Sequence, residues 1–197
     1  MRVDKVIVKA ALSTLAAIAV LCVFLIAVLC LVFPQTMMQI TYDMGMDGAS
    51  IHFASVAYDR SGETYYVGFA TDVAIMANYD DDTEEYGEKL LLDDGFEEYA
   101  KSRITGDLTV EDFRRYIQGE VCIAKYDQGK KDAAVEKAFE YIGQSFPIDY
   151  NPAAKVYLKA LSAGDQTTVE KALIKMNALQ VYDEEAVYLS SLINLAS

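Results

Sequence analysis

Tyr116-Ile117-Gln118-Gly119-Glu120-Val121-Cys122-Ile123-Ala124-Lys125-Tyr126-Asp127-Gln128-Gly129 reads as the closing turns of an amphipathic helix that stops on a turn glycine. Thr109, followed three residues later by Asp112, resembles the start of that helix, although a capping box ordinarily has Glu or Gln in the second place. Beyond Gly129 the helical spacing resumes. Ala134, Val135, Ala138, Phe139, Tyr141 and Ile142 fall on one stripe, while Asp132, Glu136, Lys137 and Glu140 fall on the water side. The small Ala134 and Ala138 let two helices approach closely, and Pro147 ends the unit. A helix, a glycine turn and a returning helix make one hairpin. Such a hairpin cannot bury its apolar stripe without neighbours.

The same pattern extends over residues 35–197, where apolar residues at three-and-four spacing are separated by short turns of Gly, Asp and Asn. Gly45, the Tyr79-Asp80 turn, Gly129 and Gly164 lie about 35, 49 and 35 positions apart, a period expected of stacked two-helix units. The longer interval holds one inserted helix within residues 93–108, with Phe96, Tyr99, Ala100 and Ile104 at helical spacing. Tyr65-Tyr66-Val67-Gly68-Phe69 looks like a strand, but Phe69, Val73 and Ala77 continue it at spacing four, which a helix explains better. Further helix starts are marked by Asn151-Pro152, by Thr167 with Glu170, and by Asp183. A last helix over residues 184–195 is expected to cap the stack.

These residues resemble tetratricopeptide repeats, helical hairpins of about 34 residues with small residues where the two helices cross. The unit containing Gly129, Ala134, Ala138 and Pro147 carries the likeness best. A unit from Asn151 through Gly164 to Leu179, with Val169, Leu173 and Met176 on the matching stripe, comes next. The first, over residues 35–61 with Ala49 and Phe53 four apart, and the second, over residues 62–92, are looser. The chain departs from the family in having no Trp, only one closing proline, and Val121-Cys122 where the family has a leucine-glycine pair. The expected fold is all-α: a transmembrane helix, then a tetratricopeptide-like α-solenoid of about four hairpins with one inserted helix and a C-terminal capping helix.

Ahead of the repeats, residues 10–33 form a run of 24 positions with no charge. As a helix it would extend roughly 36 Å, enough to cross a hydrocarbon core of about 30 Å. A cleaved signal peptide is the competing reading, but its apolar region is about 7–15 residues long, and no small-residue cleavage pattern follows Leu31-Val32-Phe33-Pro34-Gln35. Arg2, Lys5 and Lys9 precede the run, and the next basic residue is Arg60. This bias places residues 1–9 in the cytoplasm and residues 34–197 outside, on a single-pass chain. Cys22 and Cys30 lie in the run, so Cys122 has no disulfide partner beyond it. Asn78, Asn151, Asn177 and Asn194 form no glycosylation sequon, which fits a bacterial cell membrane.

The charge excludes one class of partner. Residues after the apolar run include 14 basic and 29 acidic side chains, an unfavourable balance for nucleic acid. His52 is the single histidine, so spacing assembles neither a His-rich metal site nor a Cys/His nucleophile pair. Asp80-Asp81-Asp82-Thr83-Glu84-Glu85 offers carboxylates but lacks the spacing and central glycine of an EF-hand loop. Its plainer reading is a helix start in which Asp82 is the cap and Glu84 and Glu85 favour the positive end. No phosphate-binding loop, nucleophile elbow or dinucleotide fingerprint is present, so neither a cofactor nor a metal is expected. Cys122, between Val121 and Ile123, reads as a buried small hydrophobe.

In tetratricopeptide-like stacks the first helices of the units line a concave surface that binds peptides or partner proteins. The resemblance implies such a groove near Gln39, Tyr42, Tyr116, Ile123, Tyr126, Asp127 and Leu158. The expectation is a non-catalytic, membrane-anchored scaffold that binds a protein or peptide partner. Two other readings stand beside it. One is an extracytoplasmic cell-envelope hydrolase using a carboxylate pair; the other is an assembly subunit of a membrane complex.

Overall fold

The computed structural model describes residues 2–141 and 152–178, with side chains placed over residues 8–141 and 152–175. Among the described residues there are ten α-helices and no strand. They are α1 (Arg2–Val32), α2 (Pro34–Asp43), α3 (Asp47–Ser61), α4 (Thr64–Ala77), α5 (Asp80–Leu92), α6 (Phe96–Arg103), α7 (Val110–Asp127), α8 (Lys131–Glu140), α9 (Pro152–Ser162) and α10 (Gln166–Ala178). The strand-like run at Tyr65 lies inside α4, and α6 falls in the interval where an inserted helix was expected. Pro147, Ile142, Asn151, Asp183 and the expected capping helix over residues 184–195 lie outside the described residues.

Local chemistry sets the helix ends. Thr109 Oγ1 accepts from the Asp112 amide at 3.1 Å, while Asp112 Oδ2 accepts from the Thr109 amide at 2.7 Å, so Asp completes the capping box of α7. Gly129 follows α7 at φ 80° and Gly164 follows α9 at φ 67°, a conformation that costs a residue without Cβ least. Two starts differ from expectation. α5 begins at Asp80, so Asp82 sits in the first turn rather than at the cap; all three aspartates then meet the positive helix end. For α10, Asp165 takes the place expected of Thr167. Its Oδ1 accepts from the Thr168 amide at 3.3 Å and its Oδ2 from the Thr168 hydroxyl at 2.8 Å.

α1 stands apart from the packed helices. Its apolar segment Val8–Val32 contains no buried residue, though Val28 and Cys30 near its end are partly covered, and one residue, Phe33, separates it from α2. It is long and apolar enough to span a membrane. From α2 to α5 each helix packs on the next, α5 passes to α7, and α7 packs on both α8 and α9.

The core has two parts. Ile51, Val67, Val73, Leu90, Phe96 and Ile117 belong to the first, and Cys122, Val135, Ala138, Val156, Tyr157 and Ala160 to the second. α7 serves both. The fully buried Arg115 ties α7 to the end of α8, donating to Gln118 Oε1 at 2.7 Å and to the Tyr141 carbonyl at 3.2 Å beside Glu111 at 2.6 Å.

Candidate functional site

One face of α4 carries Tyr65, Phe69, Asp72 and Met76, spaced so that they line a single side of the helix. Tyr65 and Met76, near the two ends of α4, are 52% and 62% exposed. Tyr42 of α2 meets Phe69 edge to face with ring centroids 5.3 Å apart, and Tyr65 lies 6.4 Å from the same ring. These rings form the apolar half of a strip.

The polar half begins at Asp72. The Tyr99 hydroxyl donates to Asp72 Oδ2 at 2.7 Å, and Arg103 Nη2 lies 2.6 Å from the same oxygen. Burial raises the Asp72 carboxyl above its ordinary pKa, even though the Tyr99 hydroxyl and the Arg103 guanidinium pull it down. Burial and the neighbouring carboxylate push the Tyr99 phenol well up, so it stays a donor at any physiological pH. Gly68 makes the arrangement possible, since a Cβ there would stand 2.2 Å from Tyr99 Cζ. The ring lies directly on the α4 backbone.

From Tyr99 the strip continues onto α7 and α9. Phe113 lies 6.2 Å from Tyr99 and 6.3 Å from Tyr116, and Lys155 Nζ sits 4.9 Å from the Tyr116 ring centre. Lys155 also donates to Glu120 Oε1 at 2.7 Å. A continuous series of ring contacts and ion pairs thus runs from α2 across α4, α6 and α7 to α9. Tyr42 and Tyr65 are exposed along it, Phe69, Phe113 and Tyr116 are half-buried, and Tyr99 is buried.

The seven residues expected at a groove divide into separate places. Tyr42 and Tyr116 are in the strip. Gln39 is exposed and donates to Asp43 Oδ1 at 2.9 Å along its own helix. Ile123 is half-buried against the second core. Tyr126 is 5% exposed and its hydroxyl donates to Asp165 Oδ2 at 3.1 Å, beneath Lys131. Asp127 is exposed and accepts from Lys159 at 2.7 Å, while Leu158 is 38% exposed on α9. Tyr65, Phe69, Asp72, Tyr99 and Arg103 were not anticipated. The α4 residues had a usable signal in their helical spacing, whereas Tyr99 lies 27 positions from Asp72.

Other sequence features fall elsewhere. His52 is exposed with Phe53 beside it, ring centres 5.6 Å apart. Cys122 is buried and its thiol is pushed up to about 12, which leaves it inert as a nucleophile at neutral pH. Glu84 lies between Lys125 at 2.5 Å and Lys130 at 2.6 Å. Burial alone would raise its pKa, but the two ammonium groups outweigh that and hold it below the ordinary range. Among the described residues no three His, Cys, Asp or Glu side chains gather in a metal-holding arrangement. No protein-family model, curated protein or solved structure matches this chain. The likeness to tetratricopeptide repeats therefore rests on the chain's own residues.

The carboxyls raised by burial have distinct surroundings. Asp72 has a phenol and a guanidinium, Asp80 faces Asp127 and Lys159, and Asp82 is beside Asp81 and Glu85. The strip holds donors, acceptors and ring faces.

Proposed function

We propose that the chain is a single-pass membrane-anchored scaffold whose helical hairpins present the α2–α4–α6–α7 strip to a protein or peptide partner. The observation that carries this reading is the pair of exposed rings, Tyr42 and Tyr65, set on either side of the half-buried Phe69 on the face of α4 that also carries Asp72 with its partner Arg103. Rings of this kind supply rigid contact area at low entropy cost, and an arginine paired with a carboxylate adds directional donors. The basic residues before α1 favour an outward-facing domain, and the lack of glycosylation sequons fits a bacterial cell membrane. Because α2 starts at Pro34, the strip remains near the bilayer, which raises the effective concentration of partners held there.

Repeated stacking is supported by ion pairs between successive units. Lys171 pairs with Asp132 and Lys175 with Glu136, each 39 positions on, joining α10 to α8. Lys155 pairs with Glu120 and Lys159 with Asp127, joining α9 to α7. In each case the upstream helix supplies the acid and the downstream helix the base. That is the register expected when one hairpin is laid on the previous one.

A photo-crosslinking residue at Tyr65, used in intact cells, tests the reading. The expected result is capture of one protein that is lost when Tyr42 and Phe69 are changed to Ala, and that is not captured from Ile174 on α10. Equal capture from both positions, or envelope hydrolysis by the purified protein abolished by one Asp or Glu substitution, would overturn it.

A further inference from the structure

The end of the domain nearest α1 can be identified from its hydrogen bonds. Arg60, on the last turn of α3, donates from Nη1 to the Leu31 carbonyl at 2.7 Å. Leu31 lies near the end of the apolar segment Val8–Val32, where the last helical carbonyls lack intrahelical donors. The α5–α6 turn is fixed at the same end. Asp93 accepts from the Tyr58 hydroxyl at 2.8 Å, the Thr64 hydroxyl at 2.5 Å and the Gly95 amide at 2.9 Å. The turns after α2 and α4 mark the opposite end, where the Tyr79 ring lies 3.7 Å from the Cβ position of Gly48.

If α1 spans a bilayer, Leu31 lies where hydrocarbon meets headgroups, and a guanidinium bonded to its carbonyl lies there too. Arg60 uses one of its five N–H donors on Leu31, and its side chain is exposed. Beside Asp93, Leu92 is 85% exposed, the most exposed large apolar side chain in the described domain. An arginine at headgroup depth at the end of α3, with an exposed leucine at the end of α5 where Asp93 is bonded to Tyr58 and Thr64, is a combination that an interface satisfies at both groups.

We propose that the end formed by the α3–α4 and α5–α6 turns is seated on the phospholipid surface, with Arg60 donating to a lipid phosphate and Leu92 entering the interface. The occupant is the bilayer that holds α1; the proposal therefore rests on α1 being a retained anchor. Asp59, Glu63 and Asp94 stand in or beside the same turns, so the contact is with individual phosphates and not a general attraction to an anionic membrane.

The test uses the full chain reconstituted in phosphatidylcholine vesicles, with Cys22 and Cys30 changed to Ala and Cys122 left buried. An environment-sensitive fluorophore is placed at Leu92→Cys or, at the far end of α4, at Met76→Cys, and quenched by lipids carrying a shallow spin label. Quenching with a blue-shifted emission is expected at 92, neither is expected at 76, and Arg60→Ala should reduce the signal at 92 to that at 76. Circular dichroism confirms that each variant keeps its helices. An equally aqueous label at both positions would overturn the seat while leaving the anchor intact. Quenching at 92 unchanged by Arg60→Ala would overturn the arginine's part. Release of the chain by an alkaline wash would remove the anchor, and the seat with it.

Discussion

A single hydrogen at Gly68 decides whether Tyr99 can reach Asp72. The methyl group of Gly68→Ala would collide with the phenol ring at 2.2 Å, and the ring is packed between α4 and Phe113, so it has little room to move. Overpacking of this kind costs about 1–3 kcal/mol. The Tm of Gly68→Ala should fall by several degrees, and near-ultraviolet circular dichroism should show an altered tyrosine environment; an unchanged spectrum would mean that the ring accommodates a Cβ. Little of this was legible beforehand. Gly68 stood in a strand-like run of tyrosines, and its reason for being glycine is a side chain 31 positions later, beyond the reach of any local pattern. Tyr42 and Tyr116 were expected near a groove by resemblance and make ring contacts with Phe69 and Phe113, whereas Tyr126, expected there too, is buried with its hydroxyl on Asp165.

The helices themselves were far more readable, because their punctuation is local. Gly45, Gly129 and Gly164 each follow a helix with positive φ, and the apolar spacing on either side gives the element its face. Exact starts were less so. Asp165 and Thr167 are both competent caps two positions apart, and the choice between them depends on which oxygen meets the Thr168 amide. Contacts between helices were invisible: Glu84 in the acidic run finds Lys125 and Lys130 at separations of 41 and 46 positions. That bridge joins α5 to α7 and has a defined pH dependence. Since the folded Glu84 carboxyl titrates below its unfolded value, its stabilisation is complete above the unfolded value of about 4.3 and is lost as pH falls through the folded one. The Tm should therefore fall as the pH is lowered below the unfolded value, and Glu84→Gln should flatten that portion of the curve. An identical pH profile in the variant would show that the bridge contributes nothing measurable.

At the scale of the molecule, α7 is the element on which both parts of the core meet, with Ile117 and Val121 in one and Cys122 and Tyr126 in the other. Damage to one part should spread weakly to the other. Ala160→Leu, at a position with no exposure, should overpack the second part by about 1–3 kcal/mol. Hydrogen exchange is then expected to quicken in α8, α9 and α10 while α3 and α4 keep their protection, as nearest-neighbour coupling requires. Uniform quickening throughout would point to one indivisible cooperative unit. The all-helical class, the apolar first helix and the hairpin turns followed from spacing and composition, whereas the strip depended on how distant helices meet.

The joint between α1 and α2 has a mechanical consequence. With Phe33 as the whole connection and Arg60 bonded to the Leu31 carbonyl, the domain is tied to its stem at two points. Rotation of α1 about its long axis would turn the aromatic edge through the same angle, as a weathervane turns with its shaft. In the proposed anchored state, which compass direction that edge faces in the plane of the membrane would then be dictated by whatever grips the flanks of α1 within the lipid.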